Sequence, residues 1–231
     1  MNKLICGDAL EELKKMPSES VDLVFTSPPY NLGENHHTGS KRHSPYYDNF
    51  SEIPYQETQV NVLCELYRVV KPTGSLFYNH KNRIKFGVCI TPYRWLFKTD
   101  WILKQELVWF NGSQNFDKCR FYPMTERIYW LAIRAETKLF NTINHHDFFN
   151  KSEWHPEGTN KLHTRSFPEK MVSDILSCFP NAKTIIDPYC GSGTVGVVAK
   201  KMGKDFIGIE ISPEYFKISQ KRIDNTMENL L

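Results

Sequence analysis

Thr184-Ile185-Ile186-Asp187-Pro188-Tyr189-Cys190-Gly191-Ser192-Gly193-Thr194 is a short apolar run that breaks at an acid and a proline and then passes two glycines. Three apolar or β-branched residues bounded by turn formers read as a buried strand. Glycines let a backbone approach a ligand closely, and a helix that opens behind them offers unpaired N–H groups. Thr194 to Met202 has a helical pattern, and Asp205-Phe206-Ile207-Gly208-Ile209-Glu210 is the next strand. Strand, glycine turn, helix and strand make one unit of a parallel α/β sheet.

The same grammar recurs near the other end of the chain. Val21-Asp22-Leu23-Val24-Phe25 reads as a buried strand that ends in Thr26-Ser27-Pro28-Pro29-Tyr30. In open α/β sheets ligands gather at the carboxyl ends of the strands. A glycine-rich loop and a proline-stiffened aromatic loop can therefore line one cleft. Around them the spacing predicts a strand at Lys3–Cys6 and helices over Ala9–Met16 and Tyr55–Val70. A strand begins at Ser75, a further helix covers Arg83–Phe97 with an interruption near Pro92, and strands follow at Gln105–Phe110 and Arg127–Ile133. Helices complete the pattern at Glu169–Cys178 and after Pro213, which sits where a first-turn proline is tolerated. The expectation is a single α/β domain over 1–231 with a doubly wound, mostly parallel sheet.

The 231 residues are 40% hydrophobic and carry a net charge of +3, which permits a nucleic-acid partner without arguing for one. Lys81, Arg83, Lys85, Arg94, Lys98 and Lys104 are opposed only by Asp100, and Tyr93, Trp95 and Phe97 interleave with them. Such a stretch can follow phosphates and stack bases. It reads equally well as a solvated face above core aromatics. The six cysteines form no CxxC pair. Cys6, Cys64, Cys89 and Cys178 have apolar neighbours and read as buried free thiols. No apolar run is long enough to span a bilayer and no signal-peptide pattern opens the chain, so a cytoplasmic protein is expected. His145, His146, His155 and His163 match no compact metal-ligand set.

Glu210 ends the strand after the glycine loop, where dinucleotide-type folds read ribose hydroxyls. No GxxxxGK sequence is present, which disfavours a P-loop, and NAD stands second as a ligand. Ser27 and the Pro28 carbonyl are hydrogen-bond acceptors, Pro28 and Pro29 fix the carbonyl direction, and Tyr30 offers a face for a planar ring.

Together the two segments resemble the S-adenosylmethionine-dependent DNA methyltransferases that modify exocyclic amino groups, and their order resembles the β group of that family. The resemblance runs from Gly7-Asp8, through Ser27–Tyr30 and Leu66–Gly74, to Glu210. It implies a Rossmann-like methyltransferase fold, with Ser27, Pro28, Pro29 and Tyr30 as catalytic residues and S-adenosylmethionine as cofactor. Asp187, Gly191, Ser192 and Gly193 would contact the methionine moiety, with Tyr189 and Thr194 in the same segment. Glu210 would hold the ribose and Asp8 the adenine amino group. Phe167-Pro168-Glu169-Lys170 matches the segment ahead of the glycine loop. Many adenine-N6 members carry Asp where this chain has Ser27, so the resemblance favours cytosine N4 over adenine N6.

Double-stranded DNA is the implied partner, with a cognate restriction endonuclease and a homodimer as further partners the family admits. RNA or protein amines, or a non-catalytic DNA-binding role, are the rival functions. Residues 31–50 are expected as a mobile loop beside the site, and about 141–165 as an irregular target-recognition region. Asn144, Lys151, Asn160, Lys161 and Arg165 would reach bases or phosphates there.

Overall fold

A computed structural model describes residues 2–33, 48–112, 121–140, 146–150 and 168–227. Eight strands form one sheet in the order β1 (Asn2–Cys6), β10 (Asp205–Glu210), β9 (Thr184–Asp187), β2 (Val21–Thr26), β3 (Val70–His80), β7 (Thr125–Ala132), β6 (Ile102–Phe110) and β8 (Phe148–Asn150). β1, β10, β9, β2 and β3 are mutually parallel. β7 is antiparallel to both β3 and β6, and β8 is parallel to β6, so β7 alone runs against the rest. A separate hairpin pairs β4 (Arg83–Lys85) with β5 (Val88–Ile90).

Side chains alternate across the sheet, as the strand period of two requires. Leu23, Phe25, Phe77, Ile128, Trp130 and Ile185 face one core, beneath α4 (Glu169–Ser177), α5 (Thr194–Lys201) and α6 (Pro213–Asp224). Val24, Leu76, Tyr78, Tyr129, Leu131 and Ile186 face the other, beneath α1 (Ala9–Lys14), α2 (Glu52–Val69) and the one-turn α3 (Tyr93–Leu96). Near-complete burial of each large apolar side chain contributes about 1.5–3 kcal/mol. The expected doubly wound sheet is what forms.

Adjacent strands β2 and β9 send their chains in opposite directions. β2 leads through α2 to β3, whereas β9 leads through α5, on the opposite face, to β10. That divergence opens a crevice at their carboxyl ends. Thr26 and Asp187, the last residues of the two strands, stand on either side of it.

Three expectations need correction. Arg83–Phe97 is not a helix: Ile84, Val88 and Ile90 favour strand, and the chain reverses at Phe86 and Gly87, which have φ of 50° and 75°. Helix resumes for one turn behind Pro92. Cys6, at the end of the edge strand β1, Cys64, on α2, and Cys89, in the hairpin, are exposed; among the described residues Cys178 and Cys190 are the buried thiols. α2 starts at Glu52, since Pro54 falls in its first turn, where its missing N–H costs nothing. No helix among the described residues is long and apolar enough to cross a membrane. Most of the expected 31–50 loop and 141–165 region, including Asn144, Lys151, Asn160, Lys161 and Arg165, lies outside the described residues.

Candidate active site

β9 ends in a carboxylate with almost no access to water: Asp187 is 3% exposed. Its Oδ1 accepts from Thr26 Oγ1 at 2.8 Å and from the Tyr189 N–H at 3.0 Å. Burial pushes its carboxyl up to about 7, and the nearby Glu210 charge adds to the rise. Glu210, at the end of β10, is raised by burial as well. It accepts the Gly191 N–H at 2.7 Å through Oε2 and the Ser212 N–H at 2.8 Å through Oε1. One carboxylate thereby ties the glycine loop to the following βα turn.

Gly193, the residue before α5, has φ of 82°, and a Cβ there would lie 2.8 Å from Ser219 Cβ. Among the described residues no side chain caps α5, which leaves its first-turn N–H groups without a capping partner. Arg222 Nη1 donates to the Ser192 carbonyl at 2.6 Å and to Ser192 Oγ at 3.0 Å. The Thr194 hydroxyl lies 3.4 Å from the same nitrogen. Asp8 is exposed and caps α1 by accepting the Glu11 N–H. Burial, with the Asp8 charge adding, raises the Tyr189 phenol, which stays protonated.

Across the crevice, Ser27-Pro28-Pro29-Tyr30 is held at three points. Tyr55 on α2 donates to the Pro29 carbonyl at 2.7 Å and lies 2.7 Å from His80 Nε2. His80 Nδ1 accepts the Lys81 N–H at 2.8 Å, so a proton on Nε2 lets every donor in this relay find an acceptor. Burial lowers His80 to about 3, with the Arg83 cation adding, and the imidazole is neutral. The Tyr30 ring rests against it with centroids 4.7 Å apart. The Tyr30 hydroxyl meets Ser27 Oγ at 2.8 Å, Glu126 Oε2 at 2.9 Å and the Asn79 side-chain oxygen. Burial and then the Glu126 charge raise this phenol well above its ordinary value, so it acts as a donor.

Behind that wall, Asn79 donates to the Arg127 carbonyl at 3.0 Å, and Asn111 donates to Glu126 Oε1 at 2.8 Å. Ser27 Oγ is 3.3 Å from Asn79 Oδ1. Among the described residues no group donates to the Pro28 carbonyl.

The structure brings all twelve expected residues to one edge of the sheet, with Asp8 at its rim. Asn79, His80 and Glu126 were not expected. Their signal is faint: two polar residues closing the apolar strand run Leu76-Phe77-Tyr78, and one acid inside a buried strand. Of the basic stretch, Arg83 is withdrawn from phosphate contact, being buried and bidentate to Glu52 at 2.8 and 2.9 Å. Gly191, Gly193 and Gly196 do fall in the G-x-G-x-x-G spacing of dinucleotide sites. Two buried carboxylates at the loop oppose a pyrophosphate, so spacing alone does not make this an NAD site.

A family model for DNA methylases of the N6/N4 type matches residues 21–221. The DNA adenine methyltransferase YhdJ of Escherichia coli K12 is 30% identical, over 96% of this chain and 82% of its own. Among solved structures, the PvuII cytosine-N4-specific DNA methyltransferase superposes with a TM-score of 0.79 at 23% identity, covering 99% of this chain and 88% of its own. TTHA0409 of Thermus thermophilus, a putative DNA modification methylase solved with S-adenosyl-L-methionine, gives 0.71 at 18% identity, covering 98% and 95%. The likeness in structure establishes the methyltransferase fold, and the family match establishes the chemistry: this chain belongs to the N6/N4 DNA methylases, enzymes that methylate amino groups of DNA bases.

Proposed function

We propose that the glycine loop binds S-adenosylmethionine and that the Ser27–Tyr30 wall presents to it the N4 amine of a cytosine flipped out of duplex DNA. The observation that carries this reading is the buried hydrogen bond from Thr26 to Asp187. It joins the residue before the wall to the last residue before the loop, so the two halves form one rigid unit. The loop suits a cationic ligand: Asp187 and Glu210 are buried there, and Asp8 stands at the rim. At Gly191, with φ of 53°, a Cβ would come no nearer to a described residue than 3.9 Å, to the Tyr189 carbonyl oxygen, so the loop is bare there.

When bound, this cofactor supplies an electrophilic methyl group on a sulfonium. The chain's own residues orient and activate the amine. An exocyclic amine is a poor nucleophile because its lone pair is delocalised into the ring. Ser27 Oγ and the Pro28 carbonyl can accept its hydrogens, which favours the pyramidal form and fixes the direction of attack. Tyr30, braced by neutral His80, offers a face on which the flipped base stacks. The methylated nitrogen is acidic and releases its proton to water, so no strong base is needed. Glu126 holds the Tyr30 hydroxyl and needs no other role.

A serine at position 27 can also donate to the ring nitrogen beside the amine, which a carboxylate cannot. Cytosine N3 is the more basic of the two candidate ring nitrogens, and this supports cytosine N4. Adenine N6 is the second reading, supported by the 30% identity with YhdJ. Pairing with a restriction endonuclease and self-association into a homodimer are carried by the family resemblance. Incubation with methyl-labelled S-adenosylmethionine and separate pools of unmethylated duplex DNA, RNA and protein tests the acceptor class. Label in the DNA is expected, and label confined to RNA or protein would overturn the reading.

A further inference from the structure

Phe86 sits at the tip of the β4–β5 hairpin and is 95% exposed. It is followed by Gly87, and both residues have positive φ, 50° and 75°. That is the two-residue turn in which Asn-Gly is the favoured pair, because a bulky side chain is strained there. Phe86 thus combines backbone strain with the exposure of a whole aromatic ring, and neither helps the chain fold. Ile84 and Val88 add exposed apolar surface at 38% and 54%.

The surroundings are cationic. From Lys81 to Lys98 the sequence has five Lys or Arg residues and no acid. Lys81 and Arg83 are used internally, on Glu126 and Glu52. Lys85, Arg94 and Lys98 form no ion pair with a described carboxylate, and Arg94 and Lys98 are exposed. The hairpin's root is fixed to the catalytic wall: the Arg83 guanidinium lies 4.8 Å from the centroid of the Tyr55 ring, whose hydroxyl holds the Pro29 carbonyl. Three residues of strand place the Phe86 tip about 10 Å beyond that root.

We propose that this hairpin is a wedge for duplex DNA, with Phe86 entering the base stack beside the flipped nucleotide and the unpaired cations meeting the flanking phosphates. An apolar side chain that fills the gap compensates part of the lost stacking, which is how inserted wedges hold a distorted duplex. The inference rests on the DNA-methylating reading above.

The test compares the wild type with Phe86→Asn and Phe86→Met on limiting unmethylated plasmid DNA. Asn suits the turn, so Phe86→Asn should melt no lower than wild type, about 2 °C higher. Its methyl transfer should fall about 10-fold or more, in line with the loss of one aromatic–base stack. Its affinity for S-adenosylmethionine, measured by calorimetry, should not change. Phe86→Met keeps apolar bulk and should retain most of the activity. Wild-type rates for Phe86→Asn would overturn the wedge, as would an equal loss for Phe86→Met. Failure of the wild type to methylate DNA would instead overturn the functional reading, before any variant is compared.

Discussion

Asp187 shows how much one buried group is asked to do. Its carboxyl is lifted from 3.8 to about 7 by burial, so the native state binds a proton that the unfolded chain has already released. Its contribution to stability is therefore full at acid pH and is lost as pH rises through about 7. Asp187→Asn keeps an oxygen for the Thr26 hydroxyl and the Tyr189 N–H but cannot ionise. Without cofactor, the wild-type melting temperature should thus fall relative to Asp187→Asn between about pH 4 and pH 7. Parallel profiles would show that the site leaves this carboxyl unshifted. Glu126 is a positioning residue of a different kind, acting through the Tyr30 hydroxyl. Glu126→Gln can accept from Tyr30 or from Asn111 but turns an N–H2 toward the other. It should lower kcat about 10-fold, with cofactor affinity unchanged. In a Tyr30→Phe background the same change should cost little; full additivity would show that Glu126 does not act through Tyr30.

At the scale of elements, the glycine-loop helix is set by close packing as much as by its ligand. A Cβ on Gly196 would lie 2.6 Å from a ring carbon of Phe206, which is fully buried, and 2.5 Å from Ile223 Cδ1. Ala normally favours a helix interior over Gly by about 1 kcal/mol. Overpacking costs about 1–3 kcal/mol, and the Phe206 ring has nowhere to move, so packing wins. Gly196→Ala should lower the melting temperature by about 2–6 °C, and a rise would show that β10 and α6 yield easily. Elements were legible where the chain carries local punctuation. Ser27–Tyr30 and Asp187–Thr194 end apolar runs with prolines and glycines, and the structure places both as read. The stretch 83–97 forms a hairpin and one helical turn where the sequence suggests a helix, because no Asn, Asp or Pro marks the reversal. Its turn hides behind Phe86, a residue that rarely takes positive φ.

For the whole molecule, what the sequence could not show is what long-range pairing assembles. Asn79 comes to the site at the end of β3, and Glu126 comes on β7, which pairs antiparallel beside it. Tyr30 and Glu126 are 96 residues apart, and nothing in their local sequences links them. Asp187 and Thr26 are 161 apart, yet were legible, because each ends a strand and the carboxyl edge of a parallel sheet gathers such ends. That gathering underlies the central claim: one rigid edge holds a cationic methyl donor on one side and an exocyclic amine on the other. The most direct test uses S-adenosylmethionine with a deuterated methyl group and unmethylated duplex DNA, followed by digestion and nucleoside mass spectrometry. The account predicts labelled N4-methylcytosine from the wild type and none from Tyr30→Ala. Labelled N6-methyladenine would keep the mechanism and move the acceptor to the second reading. Label on a ring carbon, as in 5-methylcytosine, or no labelled nucleoside at all, would contradict the account.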